Sequence, residues 1–115
     1  MPRDSRQYLE DILEAGQRVE MYLRGMTEDA FRLDARTIDA VVRNLEIVGE
    51  AIKRVPEPVR ARHPEVEWRR IAAMRDVLAH AYFTVDLAIV WEAAVRKLPE
   101  LRTQIAKLLA SGEAL

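Results

Sequence analysis

Residues 34–58, DARTIDAVVRNLEIVGEAIKRVPEP, decide how this chain folds. Ile38, Val41, Leu45, Val48, Ile52 and Val55 recur at three and four residues without a break, the step that lines one face of an α-helix. Asp34 stands where an N-cap carboxylate can accept the unpaired amides of a first turn. Pro56 and Pro58 end the run, because proline has no amide to donate and crowds the turn before it. A helix with one continuous apolar stripe must lay that stripe against other helices.

The flanks supply them. Ile12, Gly16, Val19, Leu23 and Met26 keep the same step on a helix starting near Asp4, which Gly25 and Thr27 end. TEDAFRLD (27–34) reads as a linker or short turn, and PEPVRARHPEVE (56–67) as a loop with at most one helical turn. A third helix is expected from about 67 to about 80, with Trp68, Ile71, Ala72 and Leu78 inward. Thr84 can cap a fourth, along which Leu87, Trp91, Ala94, Leu98, Leu101, Ile105 and Leu108 recur. Pro99 interrupts it and starts a fifth helix or a kink. No stretch alternates as a strand would. The expected fold class is therefore all-α, an up-and-down helical bundle of four to five helices forming one domain over residues 1–115. The same stripes could serve a coiled-coil dimer, but the intervening prolines favour the bundle, with some apolar positions left for a subunit interface.

Half of the 115 residues are hydrophobic and 32% charged, a globular composition. With no cysteine, disulfides and thiolate metal sites are excluded. Acids interrupt every apolar run of MPRDSRQYLEDILEAG (1–16), which is not the pattern of a signal peptide. No apolar run approaches the roughly 18 residues of a membrane span, so a cytoplasmic location without membrane contact is expected. The net charge of −1 hides an asymmetry. Residues 1–52 carry seven basic and eleven acidic side chains, whereas residues 53–75 carry seven basic and three acidic. A basic segment inside an acidic chain suits contact with phosphate, though a solvated loop would look the same.

Most familiar chemical signatures are missing. The two histidines, His63 and His80, give no zinc site of usual spacing, and the four glycines form neither a dinucleotide fingerprint nor a phosphate loop. Glu46 and Glu50, one turn apart, are expected to pair with arginines of a neighbouring helix, and His63 to be a surface loop residue. What remains is MRDVLAHAYF (74–83), where Arg75, Asp76, His80 and Tyr82 gather. Asp76 and His80 are four apart, hence on one helix face, where a carboxylate fixes the imidazole tautomer and favours its charged form. Arg75 and His80 are five apart, about 140° around the axis. They meet if the guanidinium arm swings over, or if a second copy faces the first. The set offers an anion clamp, a proton-transfer group and a phenol, which phosphodiester chemistry on RNA could use. An ordinary helix surface could carry the same residues.

The segment Arg75-Asp76-Val77-Leu78-Ala79-His80-Ala81-Tyr82 resembles the signature of the HepT-like branch of HEPN-domain ribonuclease toxins, which are paired with a minimal nucleotidyltransferase antitoxin. WRRIAAM (68–74) before it, FTVDLAIVW (83–91) after it and RNLEIVGEAIKRV (43–55) extend the likeness from about residue 5 to about 109. The resemblance implies a homodimer with both motifs at a shared cleft, cleaving RNA with neither metal nor other cofactor. Arg75 would hold the scissile phosphate, His80 would act in proton transfer and Asp76 would position it. Tyr82 would be the tyrosine that the antitoxin modifies with AMP, silencing a toxin of a type VII toxin–antitoxin pair. Arg62, Arg69 and Arg70 are candidate RNA contacts. One departure stands out: this branch often has asparagine where this chain has Asp76, and a full negative charge there should repel an incoming phosphate. The alternative is a non-catalytic helical subunit that docks a nucleotidyltransferase.

Overall fold

The computed structural model describes residues 4–80, 86–113 and 115, without the side chains of Ala79 and His80. Every regular element among them is helical. The long pieces are α1 (Ser5–Leu23), α3 (Ala35–Arg54), α5 (Trp68–His80) and a rod built from α6 (Leu87–Glu92), a π-helical turn (Ala93–Lys97) and α7 (Leu98–Ala110). Single turns, α2 (Glu28–Arg32) and α4 (Glu57–Arg62), lie between them. The all-α bundle expected from periodicity is the fold observed.

The caps show why the helices begin where they do. Asp4 Oδ1 accepts the Gln7 amide at 3.1 Å, and Asp34 Oδ1 accepts that of Thr37 at 3.1 Å. Each side chain satisfies one amide that the helix itself leaves unpaired. The α1 chain turns away at Gly25, whose φ of 75° suits a residue without Cβ. The cap expected at Thr84 lies outside the described residues; α6 is capped by Asp86, whose Oδ1 accepts the Ala88 amide at 2.9 Å.

α3 is the central element, packed against α1 on one side and α5 on the other. Its stripe is buried as spaced, with Val41, Leu45, Val48, Ile52 and Val55 sealed and only Ile38 half-exposed. Leu9, Ile12 and Val19 of α1 and Leu101 and Ile105 of α7 complete the core. Burial of each such side chain stabilises the fold by roughly 1.5–3 kcal/mol.

Two segments read as linkers contribute more than expected. Thr27 Oγ1 caps α2, and α2 plants Phe31, fully buried, against Trp91 with ring centroids 5.4 Å apart. In the 56–67 loop, α4 buries Val59, and Val66 is sealed beyond it. Pro99 stands in the first turn of α7, the new helix it was expected to start, where its missing amide costs nothing. The turn before it widens, so that the Leu98 amide reaches back to the Ala93 carbonyl, and the stripe continues through Leu98, Leu101, Ile105 and Leu108.

His63 stands in its loop as expected, half-buried and engaged by two carboxylates. Its Nε2 lies 3.0 Å from Glu113 Oε1 and its Nδ1 3.3 Å from Glu65, while its carbonyl accepts the Trp68 indole N–H at 2.9 Å. Arg62 shares Glu113 at 3.1 Å, so the chain end is tied to the loop before α5. The Glu113 carboxylate raises the His63 pKa above its ordinary 6.5. The imidazolium, with Arg62, lowers that of Glu113 below 4.5. The histidine's contribution is therefore full below its unfolded pKa and lost as pH rises through the raised value. That of Glu113 is present above its ordinary pKa and lost as pH falls through the lowered one. An NMR titration should place the His63 midpoint above 6.5, and Glu113→Gln should bring it down; an unmoved midpoint would show no ion pair in solution.

Candidate functional site

Arg75 stands on the buried stripe of α5. Ile71 and Leu78 lie four residues before it and three after, positions that share its face on a helix. A core side chain would be expected there. The arginine fits because the facing residue on α3 is Gly49. A Cβ placed on Gly49 would overlap the Cβ of Arg75, with Arg75 Cγ at 2.9 Å and its Cα at 3.3 Å. The aliphatic stem thus lies across bare backbone and the guanidinium emerges at the surface, leaving the side chain as a whole 34% exposed.

There it meets two carboxylates. Arg75 Nε lies 3.6 Å from Glu50 Oε2, and its Nη1 donates to Asp76 Oδ1 at 3.3 Å. Glu50 also holds Arg54 at 3.3 Å, one turn on along α3. Asp76 Oδ1 accepts Lys53 Nζ at 3.1 Å, a contact that ties the end of α3 to α5. The Lys53 ammonium, and after it Arg75, holds the Asp76 carboxyl below its usual pKa, so it is ionised at neutral pH. Glu50 pairs with an arginine of a neighbouring helix, as its position suggested. Beside this cluster a groove between α1 and α3 is lined by Tyr8, Arg43, Glu46, Glu50, Arg54 and Arg75.

The other sequence candidates are dispersed. The backbone of His80 continues α5, but its side chain lies outside the described residues, as does all of Tyr82. The Asp76–His80 contact therefore has no description; what Asp76 does touch is Lys53 and Arg75. Arg62 is engaged by Glu113 at the far end of α4. Arg69 and Arg70 are exposed in the first turn of α5, with Arg70 3.6 Å from Glu67. They stand five and six residues before Arg75, well around the helix from it, so within one chain they do not share its face. Among the described residues no group of three or more His, Asp or Glu side chains is placed to hold a metal ion.

Sequence reasoning missed Gly49, Glu50 as a brace for Arg75, and Lys53. A glycine within the most regular helix, beside Val48 on its buried side, was the available signal.

The all-helical fold, with α5 packed on the central helix and a surface arginine braced from it, is consistent with a HEPN-like domain. The chain belongs to the HepT-like ribonuclease family: the family model described as "Ribonuclease HepT-like" matches residues 12–108. It is 43% identical over 108 residues to a protein of Thermococcus cleftensis named "Probable ribonuclease HepT", covering 94% of this chain and 98% of that one. It is 40% identical to a provisionally named RNase of Caldanaerobacter subterraneus subsp. tengcongensis, over 90% of this chain and 93% of that one. A provisionally named RNase of Methanocaldococcus jannaschii is 37% identical, over 98% and 94% respectively. No solved structure matches the chain significantly.

The two buried-side glycines make a testable contrast. Gly→Ala in a helix gains up to about 1 kcal/mol from reduced backbone freedom. At Gly49 the new methyl meets Arg75 main chain and Cβ, which only a shift of α5 can relieve, and overpacking of this kind costs about 1–3 kcal/mol. At Gly16 it meets only side-chain atoms, the stem of Arg102, which can yield by loosening its ion pair with the exposed Glu20 while the backbones stay in place. Gly49→Ala should therefore lower the melting temperature by a few degrees, and Gly16→Ala should leave it unchanged or raised. Equal effects would mean that α5 does not rest on Gly49.

Proposed function

We propose that this protein is an RNA endonuclease, the metal-independent toxin of a type VII pair, which acts as a homodimer in the cytoplasm. Its partner would be a minimal nucleotidyltransferase antitoxin that silences it by adding AMP to Tyr82. Family membership supports the ribonuclease reading. The observation that carries it to this chain is Arg75, an arginine on a core stripe, given passage by Gly49 and held at the surface by Glu50 and Asp76.

In the proposed reaction the 2′-hydroxyl of the substrate loses its proton to His80 as its oxygen attacks the adjacent phosphorus. The O2′–P bond forms and the P–O5′ bond breaks, leaving a cyclic phosphate and a 5′-oxygen that takes up a proton. Arg75 holds the non-bridging oxygens, where negative charge builds, and its two carboxylate braces fix its direction without reorganisation during the step. Asp76 orients the imidazole, and Arg62, Arg69 and Arg70 bind flanking phosphates. AMP on Tyr82, two residues beyond His80, adds a phosphate charge and a nucleoside's bulk, which repel and obstruct the RNA strand.

A positioned acid–base group contributes about 10²–10⁴-fold and a preorganised charge donor about 10²–10³-fold. Arg75→Ala and His80→Ala should each slow cleavage of single-stranded RNA by about 100-fold or more, and the wild-type rate should persist in EDTA. Retained cleavage in both variants would eliminate the mechanism. A folded wild-type dimer that leaves RNA intact would assign the chain to docking of the nucleotidyltransferase instead. In co-expression with the antitoxin, Tyr82→Phe should abolish the AMP adduct seen by mass spectrometry.

A further inference from the structure

Asp76 raises a problem that the rest of the cluster answers. If Arg75 binds phosphate, two carboxylates facing one guanidinium would leave the spot net negative and hostile to RNA. The structure sets three cations against those two carboxylates. Arg54 lies on Glu50 within α3, and Lys53 reaches from the last turn of α3 to Asp76 on α5. Lys53 Nζ and Arg75 Nη1 share one oxygen, Asp76 Oδ1, at 3.1 and 3.3 Å.

We propose that Lys53 is a positioning residue of the RNA site: it neutralises Asp76 and holds it toward α3, so that an aspartate can stand beside the phosphate-binding arginine. This rests on the reading of Arg75 as a phosphate ligand. Lys53 and Asp76 side chains are 40% and 49% exposed, and an ion pair this open contributes little to folding. Its effect lies in the field presented to an anion. An asparagine at 76 would need no such partner.

The test uses a fluorescent single-stranded oligonucleotide with 2′-O-methyl sugars, which can be bound but cannot undergo attack by a 2′-hydroxyl, and the full chain. Lys53→Ala should weaken binding by about five- to tenfold, because the uncompensated Asp76 carboxylate then repels the phosphate that Arg75 holds. Lys53→Arg should bind as wild type. The double variant Lys53→Ala with Asp76→Asn has the wild-type net charge and should return to within about twofold of wild-type affinity. Melting temperatures should be level throughout. Unchanged affinity in Lys53→Ala overturns the proposal, as does a double variant as weak as Lys53→Ala, which would place Lys53 on the RNA itself. Cleavage of unmodified RNA is scored separately. A chain that binds with this coupling but does not cut would refute the nuclease reading and leave the role of Lys53 intact.

Discussion

The approach of α5 to α3 across Gly49 is the constraint on which the site depends. Side chains normally hold two helix axes about 8–10 Å apart. Here one wall of the contact has no side chain, so the stem of Arg75 can lie against backbone where a Leu or Ile would otherwise fill the seam. Stability and chemistry thus meet at one point. The same contact that lets α5 pack on the central helix also aims a guanidinium outward, with Glu50 one residue beyond the glycine ready to receive it.

Electrostatics then works at short range. The basic run from Lys53 to Arg75 looked in the sequence like a continuous phosphate-binding band. In the fold most of its members are paired with carboxylates, Arg60 with Glu57, Arg70 with Glu67 and Arg54 with Glu50 within a turn, and Arg62 with the distant Glu113. Such exposed pairs contribute about 0–1 kcal/mol each, so they shape the local field more than they hold the fold together. The cluster around Arg75 differs because it joins two helices and alternates sign from Lys53 through Asp76, Arg75 and Glu50 to Arg54.

The fold was legible because the long helices have a period that sequence alone displays. Val41 to Val55 and Leu98 to Leu108 are buried where their spacing placed them, and Asp4 and Asp34 cap where their chemistry suited. Short elements were not legible. Five residues of α2 contain one apolar contact, Phe31, and one turn has no period to read. The motif residues were visible as types in a row, but their partners were not, since Lys53 and Asp76 are brought together only by the crossing of two helices. The partner of His63 was hidden for the same reason: Glu113 lies 50 residues away.

The widened turn at Ala93–Lys97 leaves one more consequence. An α-helix advances about 100° with each residue, and the π turn lodges one residue that the regular coil would not need. That surplus sets the angular phase between Trp91, which backs Phe31 of α2, and Ile105, which closes the core against α1. Excising a single alanine from the pair Ala93–Ala94 would let the rod relax into uniform coil and swing one end out of phase with the other. Either the aromatic contact or the seam with α1 would then face water, so the length of this rod is constrained to the residue even where its side chains are small.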